Sequence, residues 1–140
     1  MRATSHRGFT LIELMIVVVI IGILVGIAVP NFSSMQGRAK EANVKSNMHA
    51  LQLSMEDYSV LNDGLYPTVA EKADVKAMFP GGDWPVNPFT GVALADAEVP
   101  FDADPANPGE MAANPATADG YVVKGYGKTT LLLLELSNNG

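Results

Sequence analysis

Gly8-Phe9-Thr10-Leu11-Ile12-Glu13-Leu14-Met15-Ile16-Val17-Val18-Val19-Ile20-Ile21-Gly22-Ile23-Leu24-Val25-Gly26-Ile27-Ala28-Val29 is an apolar run broken by one carboxylate, Glu13. Phe9 to Val29 is 21 residues. At about 1.5 Å per helical residue this is enough to cross a hydrocarbon core of about 30 Å. A carboxylate at that depth costs about 2.5–3.5 kcal/mol, so it is read as functional and a partner is sought for it. The natural partner is a positive charge. If the chain began at Phe9, its new α-amino group would lie four residues before Glu13. It could serve Glu13 of its own chain or of a neighbour.

Three readings of this N-terminus compete. A secretory signal accounts for the basic start (Arg2, His6, Arg7) and the apolar stretch. Its apolar core, however, should be about 7–15 residues long and end at a small-residue cleavage site. A plain anchor with a short basic tail, oriented by the positive-inside rule, explains everything except Glu13 and the abrupt Arg7-Gly8-Phe9 border. The third reading cuts between Gly8 and Phe9, retaining the apolar segment and giving it a free amino terminus.

Arg7-Gly8-Phe9-Thr10-Leu11-Ile12-Glu13 resembles the class III signal of type IV pilins and type II secretion pseudopilins. The resemblance extends to Pro30, covers residues 1–61 well and fits the remainder loosely. It implies that a prepilin peptidase/N-methyltransferase cuts after Gly8 and methylates Phe9, and that Glu13 pairs with the amine of an adjacent subunit during assembly. It also implies a type IV pilin-like α+β fold, in which a long N-terminal transmembrane helix packs against a small antiparallel sheet. The physics is compatible. Apolar helices in lipid gain little by packing on one another, whereas a carboxylate beside an amine sets direction and register.

Length and composition bound the rest. The chain has 140 residues and a net charge of -6; without residues 1–8 it keeps seven basic against fifteen acidic side chains. Such an acidic surface argues against direct nucleic-acid binding. Without cysteine, thiolate metal sites, cysteine nucleophiles and disulfides are excluded, although the family often closes its C-terminal region with a disulfide. The histidines are His6 and His49, and neither has a nucleophile or carboxylate constellation beside it. No nucleophile elbow or phosphate loop is present, so the chain is read as not an enzyme.

The apolar helix is expected to continue past Pro30. Gly22, Gly26 and Pro30 mark its weakest stretch, and the resemblance implies that this stretch melts when subunits pack. Phe32, Met35, Ala39, Ala42, Val44, Met48, Leu51, Met55 and Tyr58 recur at helical steps. One helix from about residue 10 to about residue 60 would rise roughly 75 Å, and Asn62-Asp63-Gly64 ends it. Thr68 with Glu71 reads as a capping box, which predicts a short helix over 69–79. Trp84 and Phe89 in the following loop either bind a sugar or partner or pin the loop to the core; core burial is the favoured reading.

Residues 92–119 read as an acidic loop. Between Lys76 and Lys124 there are seven acids and no Lys or Arg. A Ca²⁺ site from Asp102, Asp104, Glu110 and Asp119 is one reading. A solvated acidic loop without a metal is favoured because the EF-hand pattern is absent. Residues 120–125 and 129–136 predict a C-terminal hairpin around Tyr126-Gly127-Lys128. Leu131–Leu134 is apolar on both faces.

The expected organisation is therefore a leader (1–8), a transmembrane and assembly helix (9–29), its amphipathic continuation (30–61) and a small head (62–140). The head holds the acidic loop 92–119 and a hairpin at 120–137. The expected function is that of a prepilin cleaved, N-methylated and polymerised into a type IV pilus for adhesion, motility or DNA uptake. The alternatives are a pseudopilin of a type II secretion system and a single-pass anchored binding protein that never polymerises. Expected partners are other copies, minor pilins, the peptidase, an inner-membrane assembly platform and, before assembly, membrane lipid. The expected location is the bacterial inner membrane as precursor, with the leader cytoplasmic, and then an extracellular pilus or periplasmic pseudopilus.

Overall fold

The computed structural model describes residues 8–132 and 134–138. Arg2, His6 and Arg7 of the expected leader, and Leu133, lie outside the described residues. The chain divides into two compact units, one ending at Gln36 and one beginning at Gly37.

Among the described residues of the first unit the only regular element is the start of α1, the helix Leu11–Leu61. Every described side chain up to Gln36 is exposed. That is what a uniformly apolar sequence dictates, since no face is distinguished for burial within its own chain. Pro30 lies inside α1, which stays unbroken across it. The proline has no N–H to offer the carbonyl four residues back, at Gly26. One residue on, the Asn31 side-chain amide donates to the Ile27 carbonyl at 3.3 Å. A Cβ added at Gly22 or Gly26 would meet nothing within 4 Å.

The second unit has a core. Val44, Met48, Leu51 and Met55, at steps of four and three, form the fully buried stripe of α1. α1 ends where Asp63 (φ 55) and Gly64 (φ 84) enter the left-handed region and the Gly64 amide reaches the Ser59 carbonyl at 2.9 Å. A short helix α2 (Lys72–Ala77) follows, with 3-10 turns at Pro80–Gly82 and Asp96–Glu98. The sheet is antiparallel with strand order β1 (Met111–Thr117), β2 (Gly120–Gly125), β3 (Leu136–Ser137). β2 alternates, turning Tyr121, Val123 and Gly125 inward. At Gly125 a Cβ would stand 2.5 Å from Met48 Sδ and 2.9 Å from Val44 Cγ1. The absence of a side chain there lets β2 approach α1. The architecture is α+β, a long apolar N-terminal helix plus a small antiparallel sheet.

Three expectations are corrected. The stretch 92–119 is not a continuous loop, because β1 occupies Met111–Thr117 and is the main partner of β2, from Met111↔Gly125 to Thr117↔Gly120. Its Ala-Ala-Asn-Pro-Ala composition lacks β-branched and aromatic residues. The strand is set instead by pairing and by small buried side chains at Ala112 and Ala113. The register shifts between Ala113 and Ala116, where Pro115 sits without an N–H to offer a ladder. The C-terminal hairpin expected at 120–137 is also reduced. Residues 129–136 do not form one strand; Leu131 makes a single bridge to Tyr126, and β3 pairs only Val122↔Ser137 and Val123↔Leu136. Leu132 and Leu134 pack against the core. Lastly, the helix expected over 69–79 is confined to Lys72–Ala77. Thr68 and Glu71 do bond, the Thr68 amide and hydroxyl both donating to Glu71 Oε2, but in a turn that precedes the helix.

The two loop aromatics serve the core. Trp84 is buried and edge-on to Phe79 (centroids 5.2 Å apart), and its Nε1 donates to Asp96 Oδ1 at 2.7 Å. Phe89 packs on the core with the Lys40 ammonium 5.4 Å from its ring centroid.

Candidate processing and assembly segment

The segment is built at the mouth of α1. Gly8 and Phe9 precede the helix. Phe9 is 82% exposed, and nothing lies within 4 Å of a Cβ placed at Gly8. The Gly8–Phe9 peptide is therefore non-helical and sterically open, which proteolysis at that bond requires. Thr10 stands at the N-cap position. Its backbone amide and its hydroxyl donate to Glu13 Oε2 at 2.8 and 2.7 Å, and the Glu13 amide donates back to Thr10 Oγ1 at 3.2 Å. This is a capping box, which satisfies orphan amides of the first turn and places the carboxylate at the positive end of the helix dipole.

Glu13 thus has a partner within its own chain. One of its oxygens is bonded twice, and the side chain is exposed. It is held at a fixed place, three residues into the chain from Thr10, and still faces outward. Thr10 is the partner of Glu13 that reading the apolar run missed. The signal was present as Thr-x-x-Glu at 10–13, the same spacing that drew attention at 68–71.

The remaining candidates are placed as follows. Gly22, Gly26 and Pro30 lie on the exposed, continuous part of α1. Asp102 and Asp119 are exposed. Asp104 bonds the Lys124 ammonium at 3.0 Å and the Asn114 amide at 2.9 Å. Those two bonds, Asn114 first, hold its carboxyl below the usual carboxylate range. Glu110 is buried and accepts from the Ala106 and Asn107 amides and the Asn107 side chain. Among the described residues, no three His, Cys, Asp or Glu side chains gather as a metal site would need. His49 is exposed on α1. A second carboxylate, Glu56, takes hydrogen bonds from the Tyr66 and Tyr121 hydroxyls, and burial pushes the Tyr121 phenol up.

Comparison with known proteins centres on the same segment. The prokaryotic N-terminal methylation motif matches residues 4–29. The chain is 55% identical over 53 residues to the type IV major pilin protein PilA of Myxococcus xanthus, covering 38% of this chain and 24% of that protein. It is 41% identical over 71 residues to the type II secretion system core protein G of Klebsiella michiganensis, covering 51% and 49%. It is 56% identical over 46 residues to the type IV narrow pilus major component PilA5 of Thermus thermophilus, covering 33% and 40%. The chain thus spans half or less of the length of these relatives. No solved structure matches it. The chain carries the prokaryotic N-terminal methylation motif at residues 4–29 and, over its N-terminal part, is similar to type IV major pilins and to type II secretion system core proteins G.

Proposed function

We propose that this chain is a structural filament subunit, made as a membrane-anchored precursor and polymerised after its leader is removed. The observation that carries the reading is a single outward-facing carboxylate, Glu13, at the mouth of an apolar helix with no buried face, next to an open Gly8–Phe9 peptide. An apolar helix suits lipid before assembly and other copies of itself afterwards. Cleavage at Gly8–Phe9 by a prepilin peptidase creates an amine, and methylation follows on Phe9. Glu13 of one subunit then pairs with the amine of the next, exchanging its bond to Thr10 for an intermolecular one. Gly22, Gly26 and Pro30 give the helix its weakest stretch, which tolerates local unwinding as helices pack. The head supplies the exposed surface. The role is structural, and no metal is invoked.

A type IV pilus is the first assignment. The type II secretion pseudopilus is the second, favoured by one observation: the matches to core protein G run over a longer part of the chain. In either case the precursor sits in the inner membrane, where an assembly platform and minor pilins meet it.

The test is the mass of the mature N-terminal peptide. The expected peptide begins at Phe9 and carries one added methyl group. A mature N-terminus at Met1 would return the chain to a simple anchored protein. Glu13→Ala is expected to be cut and methylated normally but to yield no filaments, and normal filaments from it would remove Glu13 from assembly.

A further inference from the structure

The second unit separates its charges. Residues 37–140 carry seven Lys and Arg against fourteen Asp and Glu. Of the cations, Lys76 and Lys124 are ion-paired to Asp96 and Asp104, and Lys72 donates to the Asp96 carbonyl. The other four, Arg38, Lys40, Lys45 and Lys128, make no ion pair among the described residues, and all lie at one end. Three are on the first turns of α1 in this unit. Lys128 is beside them: its Cδ is 4.0 Å from a Cβ placed at Gly37, and its amide bonds Glu41.

The opposite end of the same helix stretch carries a groove of mixed lining, in which apolar and aromatic side chains alternate with Asn62, Thr68 and two acids. Tyr58, Leu61, Leu65 and Tyr66, with Asp63 and Glu71, line an open groove of about 350 Å³. Leu61 is 74% and Leu65 54% exposed. Partial burial and then the nearby charges of Glu71 and Asp74 push the Tyr58 phenol up, an indication that the local field is negative. From Arg38 to Tyr58 along α1 is roughly 30 Å.

We propose that this groove seats the Arg38–Lys45 stretch of α1 from a second copy of the chain, its apolar and aromatic side chains against the helix and its two acids against the unpaired cations. The inference rests on the filament-subunit reading and names the head-to-tail contact within it. The occupant follows from charge complementarity. An acidic surface does not pair with its own kind, and three of those four cations without an ion pair among the described residues lie on one helical stretch. Because the two surfaces differ and lie at opposite ends, the contact is heterologous. It therefore propagates from copy to copy and does not close as a dimer.

The chain has no cysteine, so a pair of them reads the contact directly. Ala42 and Leu61 are both exposed. In full-length chain assembled into filaments by a processing strain and mildly oxidised with copper–phenanthroline, Ala42→Cys with Leu61→Cys is expected to give a ladder of multimers on a non-reducing gel. Each single variant gives dimers at most. Independently, Asp74→Lys is expected to lower the filament yield about tenfold, and adding Lys45→Glu to restore it. If the wild-type chain forms filaments, then double-cysteine filaments that give no ladder, or Asp74→Lys filaments at wild-type yield, overturn this contact and leave the filament reading standing. A processed wild-type chain that forms no filaments overturns both.

Discussion

α1 is a single helix with two kinds of surface. Up to Gln36 all its side chains are exposed, whereas Val44, Met48, Leu51 and Met55 are fully buried. The backbone is the same and the difference is in the sequence. From Leu14 to Val29 no polar side chain marks an outside, so no inside is defined within the chain. From Arg38 on, charged residues take one side and the apolar stripe takes the other. A helix without a chosen face meets its partner in lipid or in another copy. A helix with one builds a core at home.

That contrast is broken most severely by deletion in the core stripe. Met48→Ala should destabilise the head by about 2–5 kcal/mol, measured as denaturant unfolding followed through Trp84 fluorescence. Ile16→Ala, an equal truncation on the exposed half, should leave the same transition unmoved. A matching loss from Ile16→Ala would mean that the first half shares the head's core. Gly125→Ala comes next. Its new methyl would collide with Met48 and Val44, at a cost of ~1–3 kcal/mol on the same transition. An unchanged midpoint would show that β2 does not lie as close to α1 as the geometry has it.

The smallest expected effect separates the halves by pH. Bonds from the Trp84 indole and then Lys76 depress Asp96, and bonds from Asn114 and then Lys124 depress Asp104. A carboxyl whose folded pKa is depressed adds stability above its unfolded pKa of about 3.9. That stability is lost as pH falls through the folded value. The melting temperature of the head should therefore be level from neutral pH to about pH 5 and fall below about pH 4. In Asp104→Asn part of that acid slope should vanish, and an unaltered slope would discard the Lys124 and Asn114 bonds as its source.

The two Thr-x-x-Glu stretches show how far local pattern reaches. At 68–71 the threonine and glutamate bond in a turn, and the helix starts only at Lys72. At 10–13 the same residues cap a helix of 51 residues. The chemistry was legible in both places. At 10–13 an apolar run follows the box and continues as helix, whereas after Thr68 the exposed Val69 and Ala70 stay in a turn and the helix begins only at Lys72. The strand β1 was harder still, since Met111-Ala112-Ala113-Asn114-Pro115 carries no strand preference of its own.

The sequence by itself determined the apolar segment, the abrupt Arg7-Gly8-Phe9 border, the charged intruder at Glu13 and the stripe that makes α1 amphipathic. These features depend on spacing and on transfer from water, which are local properties. Only the tertiary structure decided that β2 takes its main partner from the acidic stretch before it and that Gly125 must be bare. It also decided that the spare cations and the groove fall at opposite ends of one unit. Those arrangements arise from contacts between residues distant in sequence, which the folded chain alone makes.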